Sequence, residues 1–280
     1  MKTSTISRHR GRALGLTLLA AALALGCGAG ERADPRQIIL ASTTSTEDSG
    51  LFDELLPAFE AAHPEYEVRA IAVGTGEALE LGRRKDADVL LVHAPAAESA
   101  FVAEGYGVER REVMYNDFVI VGPASDPAGV RGLADAAEAL RRIARAGVSF
   151  ISRGDDSGTH RKELALWRAA GVETGGAAYL EAGQGMGEVL RIASERRGYT
   201  LTDRATYLFL KDDLALEVLV EGDARLFNQY GVIPVAGARN AEGAAAFADW
   251  ITSAEAQSLI ARYGVDRFGA PLFTPNARRR

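Results

Sequence analysis

The sequence predicts an α/β protein of two lobes, each a mainly parallel sheet flanked by helices. Three observations carry that prediction. From Gln37 onward, short apolar runs rich in β-branched residues alternate with amphipathic stretches. The runs are largely apolar rather than alternating, as expected of strands covered on both faces, which is the signature of parallel sheets with crossover helices. No internal repeat and no low-complexity linker interrupts the pattern, which excludes a solenoid and favours lobes joined by extended crossings.

Taken in order, the strand candidates are Ile38–Ala41, Val68–Val73, Asp88–His93, Asp117–Val121 and Val148–Ser152. Between and after them, Leu51–Ala62, Ala97–Glu104, Leu133–Ala146 and Arg161–Ala170 read as helices. Leu51, Leu55 and Phe59 fall on one helical face, and Pro57 within that stretch is expected to kink or split it. The extended apolar segments Asn116–Gly122 and Phe227–Pro234 lack an immediate helix and are the expected crossings between lobes. The organisation follows: residues 37–118 open lobe 1, 119–230 form lobe 2, and 231–280 return to lobe 1.

The first 27 residues read as an export signal rather than part of the fold. Lys2, Arg8, Arg10 and Arg12 precede an apolar run, Ala13–Gly26, of a length suited to a signal peptide and short for a membrane span. Leu23-Ala24-Leu25-Gly26-Cys27 resembles a bacterial lipobox, so Cys27 is the expected lipidated N-terminus, although Ala24 stands where Leu is commonest. Residues 28–36 then form a polar tether. Cleavage before Cys27 removes four basic residues and no acidic one, taking the formal charge from −6 to −10.

Composition excludes several classes. With 32 basic against 38 acidic residues, the chain lacks the footprint of a nucleic-acid binder. One cysteine permits no internal disulfide, and His9, His63, His93 and His160 lie too far apart for a metal-ligand pattern. No metal or cofactor is expected, and His93 reads as a loop or strand-end residue. Ser157 and His160, three residues apart at a helix start, are too local to form a nucleophile–base–orienter set. The chain has no Walker-type loop for nucleotide hydrolysis.

Two loops carry chemistry. In Ile39–Gly50, a buried strand runs into five successive hydroxyl residues, Ser42 to Thr46, before a helix. Hydroxyls donate to oxyanions, and a helix start adds free N–H groups and a positive dipole end. In Phe150–His160, a second strand ends in Arg153-Gly154-Asp155-Asp156-Ser157-Gly158-Thr159 before another helix. Glycines allow close backbone approach, and Arg153 brings a permanent charge with planar donors. Asp155 and Asp156 read as partners of Arg153 or as helix caps. One such loop per lobe, facing across a cleft, makes an anion clamp. Val73-Gly74-Thr75-Gly76 offers Thr75 as another donor. Gly183-Gln184-Gly185-Met186-Gly187 lacks the acidic partner of a dinucleotide fingerprint and is expected to shape the cleft wall or a hinge.

These motifs resemble the tungstate-binding components of ABC importers, within the type II periplasmic binding proteins. The resemblance runs from about residue 38 to 274 through Ala41–Thr46, Val73–Gly76, Ala87–Pro95, Val113–Pro123, Ser152–His160, Gly183–Gly187, Tyr199–Arg204 and Asn228–Tyr230. Ser42 stands where the family usually has Thr, keeping a hydroxyl. The resemblance implies a two-lobed type II fold in which Thr43, Thr44, Ser45, Thr75, Arg153 and Thr159 hold a tetrahedral oxyanion. The similar loop of phosphate-binding proteins in the same superfamily adds Ser157.

The resulting expectation is an exported, lipid-anchored, monomeric receptor. It takes tungstate to an ABC permease and its ATPase, without transforming it and without contacting nucleic acid. Molybdate or phosphate is the alternative ligand. A secreted hydrolase using Ser157 or Thr44 is the alternative of a different class, and it requires a base within reach of either hydroxyl.

Overall fold

The computed structural model describes residues 36–278. The expected leader and Cys27 lipidation therefore lie outside the described residues, as does nearly all of the tether. The first lobe begins with β1 (Gln37–Thr43), α1 (Thr44–Asp48), α2 (Phe52–Ala62), β2 (Glu67–Val73) and α3 (Thr75–Arg84). It continues through β3 (Val89–Val92) and α4 (Pro95–Ala103) to the long strand β4 (Arg111–Gly122). The second lobe holds α5 (Ala136–Ala146), β5 (Phe150–Ser152), α6 (Gly158–Ala170), β6 (Tyr179–Glu181) and α7 (Met186–Arg196). Then come β7 (Thr200–Asp203), α8 (Arg204–Leu210) and β8 (Glu217–Val220). The chain returns along β9 (Phe227–Pro234) to α9 (Ala241–Ile251), α10 (Ala254–Arg262), α11 (Val265–Phe268) and β10 (Thr274–Pro275).

The crossing is made within β4. Its first half pairs antiparallel with β9 as far as Asp117, opposite Phe227, and from Phe118 it pairs instead with β7. One strand thus belongs to both sheets. The mainly parallel arrangement expected from the sequence holds for β2–β1–β3 and for β5–β6, whereas the strands that travel between lobes run antiparallel to their neighbours. A chain that leaves a lobe and returns to it must lay its return strand against the outgoing one, so the sheets are mixed.

Each sheet has a core on both faces. Ile38 and Leu40 pack into one cluster with Phe59 and Phe247, while Ala41 faces another with Leu79 and Phe101. In the second lobe Phe118 and Ile120 turn toward Leu140 and Trp167, and Val119 and Val121 toward Met186 and Leu190. This is the period-2 alternation of a pleated strand read inside two apolar layers. Helix α2 runs unbroken through Pro57, contrary to the expected kink. Both Pro57 and Asp53, whose carbonyl Pro57 cannot serve, are exposed, so water can take that acceptor.

Register places the site. Thr43 of β1 lies opposite Val73 of β2, and Ser42 opposite Leu91 of β3, so three parallel strands end together. In the other lobe Ser152 of β5 lies opposite Glu181 of β6. Ligands of open α/β sheets bind outside such carboxyl ends.

Candidate functional site: an anion clamp between lobes

On the lobe 1 side, Thr43 closes β1, and Thr44, Ser45 and Thr46 form the first turn of α1. Thr43 Oγ1 lies 3.1 Å from Ser45 Oγ and 2.9 Å from Thr46 Oγ1. Ser45 Oγ also lies 3.1 Å from His93 Nε2, and His93 Nδ1 lies 3.0 Å from Asn228 Oδ1. Thr44 points the other way: its Oγ1 accepts from Arg153 Nη2 at 3.0 Å, across the cleft. Ser42 donates to the Leu91 carbonyl at 2.6 Å, so the first of the five hydroxyls ties strands together. Thr75, at the start of α3, accepts from Gly158 N at 3.1 Å, again across the cleft.

On the lobe 2 side, Arg153 directly follows β5 and is 2% exposed. Its Nη2 also meets Asp155 Oδ2, and its Nε is buried with no partner. Asp155 therefore does pair with Arg153, while Asp156 pairs with Arg161 on the surface. The loop turns sharply: Gly154 has φ +61° and Asp156 φ +56°. A Cβ on Gly154 would lie 2.7 Å from that of Glu181, so both conformation and space require glycine there. Ser157 caps α6, accepting from His160 N at 3.1 Å. Thr159 is fully buried and its Oγ1 has no partner. His160 Nδ1 accepts from Asp156 N at 3.0 Å, and its Nε2 is buried without a partner.

The site is a collection of donors. Thr44, Thr75 and Ser157 each use their oxygen to accept from the protein, which leaves the hydroxyl proton free to point elsewhere. Arg153 Nε and the Thr159 hydroxyl add two buried donors. Buried polar groups are nearly always satisfied, so a cluster of orphaned donors marks a place for an acceptor. Among the described residues no group of three or more His, Cys, Asp or Glu could hold a metal ion.

Asp48 borders the site. Its Oδ2 accepts from Gly187 N at 2.8 Å, joining α1 to the start of α7 across the lobes. Burial raises the Asp48 pKa, while the Gly187 N–H and the Arg153 charge pull it down. Gly185 and Gly187 thus form the cleft wall opposite Thr44 and Asp48.

Sequence reasoning missed His93. Far from a passive strand-end residue, it is buried, stacked on Tyr230 at 4.8 Å and bonded to Ser45 and Asn228. Burial lowers its pKa to about 4, and the Arg153 and Lys162 charges push the same way against the Asn228 hydrogen bond. Its partners lie 48 and 135 residues away, so no local spacing could have shown them.

Two α/β lobes joined through a shared strand, with strand ends and helix starts facing each other, define a two-lobed solute-binding protein. Comparison with known proteins agrees: residues 29–255 match the PBP superfamily domain. The tungstate-binding protein TupA of Peptoclostridium acidaminophilum is 56% identical over 246 residues, 86% of each chain. The solved tungstate ABC transporter structure from Geobacter sulfurreducens is 49% identical with a TM-score of 0.72, covering 81% of this chain and 98% of that one. The tungstate-binding protein TupA from Desulfovibrio alaskensis G20 is 45% identical with a TM-score of 0.71, covering 86% and 99%. The chain belongs to the PBP superfamily and, within it, to the family of these tungstate-binding proteins.

Proposed function

We propose that this protein is an exported receptor that closes on tungstate between its lobes and hands it to the permease and ATPase of an ABC importer. The observation that carries the reading is the buried Arg153, whose Nη2 reaches Thr44 of the opposite lobe while its Nε and the Thr159 hydroxyl lack partners. A fully ionised tetrahedral oxyanion only accepts hydrogen bonds and would meet Thr44, Thr75, Arg153, Ser157 and Thr159. Thr43 and Ser45 complete the hydroxyl loop behind Thr44. The protein's own net negative charge is no obstacle, because distant surface charges are screened over about 8 Å whereas donors in the cleft act at contact.

No chemical step is assigned. The oxygen of Ser157 meets a backbone N–H and that of Thr44 meets Arg153, neither of which is a base. Ser45–His93–Asn228 has the spacing of a nucleophile, base and orienter. An imidazole held near pKa 4 by burial, however, takes a proton poorly at neutral pH. Calorimetric titration with tungstate, molybdate, sulfate and phosphate tests the reading. Tungstate is expected to bind most tightly, and binding of none of the four overturns it.

Anchoring belongs to the same reading. The leader and Cys27 support a receptor held to the membrane by lipid, and among the described residues no helix is long and apolar enough to cross one. Mass spectrometry of membrane-extracted protein is expected to find acylated Cys27. A native chain that starts at another residue rules this out.

A further inference from the structure

We propose that His93 is a positioning residue of the anion loop. Through a one-way hydrogen-bond relay that begins at a buried carboxyl group, it takes the hydroxyl proton of Ser45 and leaves Thr44 as the loop hydroxyl that donates to the anion. The proposal rests on the reading of the cleft given above and goes further, assigning donor and acceptor roles within it.

The relay begins at Asp203, which is fully buried and caps α8 by accepting from Thr206 N at 2.9 Å. The oxygen that takes this N–H is Oδ1, which is thereby an acceptor, while burial raises the pKa of the carboxyl group to about 6. Asn116 lies 3.4 Å from the same accepting Oδ1 and so turns its Nδ2 toward it. The Asn116 Oδ1 then faces Asn228 and accepts from its Nδ2 at 2.7 Å. That orientation presents Asn228 Oδ1 to His93, whose Nδ1 at 3.0 Å must carry the proton. A neutral imidazole has one N–H, so Nε2 is a bare acceptor, and Ser45 Oγ at 3.1 Å donates to it. Each step is fixed by the one before.

The consequence for the loop is a division of labour. With its proton committed to His93, Ser45 is left to accept from Thr43, and Thr43 in turn to accept from Thr46. These buried hydroxyls hold one another. Thr44 stands outside that chain, its oxygen engaged by Arg153 and its proton free. The ring itself is fixed by stacking on Tyr230 and by Gly158 of α6, where a Cβ would come within 3.1 Å of His93 Cε1. A bare-nitrogen imidazole is thus held between the hydroxyl loop and the opposite helix start.

Nitrogen-15 NMR of the imidazole, with and without tungstate at neutral pH, tests the relay directly. His93 is expected as the neutral tautomer protonated on Nδ1 and bare on Nε2, and a proton on Nε2 or on both nitrogens overturns the proposal. His93→Phe keeps the stacked ring and removes both nitrogens. It is expected to weaken tungstate binding about tenfold while remaining folded. Combined with Ser45→Ala, it should bind no more weakly than the weaker single variant, because His93 acts through that hydroxyl. Parent-like affinity of folded His93→Phe, or fully additive losses, would overturn the proposal. If His93→Phe does not fold, the parent's tautomer and Ser45→Ala decide, with parent-like binding of Ser45→Ala counting against it. A parent that binds none of the four oxyanions removes the reading of the cleft, whereas the tautomer still tests the relay by itself.

Discussion

Arg153 is buried in a loop where Asp155 supplies an opposite charge and Thr44 an acceptor from the other lobe. A guanidinium taken out of water costs several kcal/mol unless its donors are met, and here Nε is not met by protein. A dianion between the lobes would meet it, with a charged hydrogen bond worth about 1.5–3 kcal/mol. Arg153→Ala is therefore expected to weaken tungstate binding roughly ten- to a hundredfold. Arg153→Lys should recover only part, since it keeps the charge and loses the planar fork. Calorimetric titration checks both, with a thermal melt to confirm folding. A folded Arg153→Ala that binds like the parent would move the anion elsewhere. The place of Arg153, directly after an apolar strand and before a glycine turn, was legible in the sequence. The relay behind Ser45 was not, because Asn116, Asn228 and Asp203 come together only when β4, β7 and β9 share sheets.

Elements meet at the cleft through glycines. A Cβ on Gly158 would lie 3.0 Å from Thr75 Oγ1 and 3.1 Å from His93 Cε1, both on the opposite lobe and both buried. Gly158→Ala should hold the α6 start away from Thr75, breaking the cross-lobe bond from Gly158 N. The expected result is a loss of tungstate affinity of about tenfold or more with little change in melting temperature. Unchanged affinity would mean that the lobes need not approach this closely. The same helix carries a pH effect. Glu163 is 1% exposed and accepts from Tyr179 Oη at 2.7 Å and Trp167 Nε1 at 3.1 Å. Burial raises its pKa to about 7 from 4.5, against the pull of those donors. Between these values the folded protein binds more protons than the unfolded chain, so this contribution to stability is lost as pH rises from about 4.5 to 7. Glu163→Gln keeps an acceptor and removes the titration. Relative to the parent it should gain on the order of 2–3 kcal/mol between pH 5 and pH 8 in denaturant unfolding. An identical pH dependence in both proteins would show that Glu163 is ionised throughout. At this scale strand and helix order was readable from periodicity. The three-residue strand β6 and the unkinked α2 depend on neighbours that a linear pattern does not contain.

Among the described residues, four hydrogen bonds span the lobes at the hydroxyl loops: Arg153 to Thr44, Gly158 to Thr75, Gly187 to Asp48 and Thr206 to the Ser45 carbonyl. Each joins the hydroxyl loops of lobe 1 to a helix or loop of lobe 2, and all four lie around the donors assigned to the anion. Elsewhere the lobes are connected by β4, which pairs with β9 up to Asp117 and with β7 from Phe118, by the return of the chain into β9, and by contacts such as Arg267 to the Phe209 carbonyl. Closure therefore depends on what the cleft contains. Without an acceptor, Arg153 Nε and the Thr159 hydroxyl would be desolvated unpaired in the closed form, at about 1–3 kcal/mol each. An oxyanion removes that cost only where both lobes reach it, so it binds the closed form better than an open one. That difference in affinity is what shifts the population. Small-angle X-ray scattering is accordingly expected to show a smaller radius of gyration with saturating tungstate than without. In Arg153→Ala the difference should shrink at a tungstate concentration that saturates the parent, because one lobe has lost its strongest grip on the ligand. A scattering profile that stays the same while calorimetry records binding would mean that the cleft is already closed in solution. The cross-lobe bonds would then be permanent features of the fold rather than products of ligand binding.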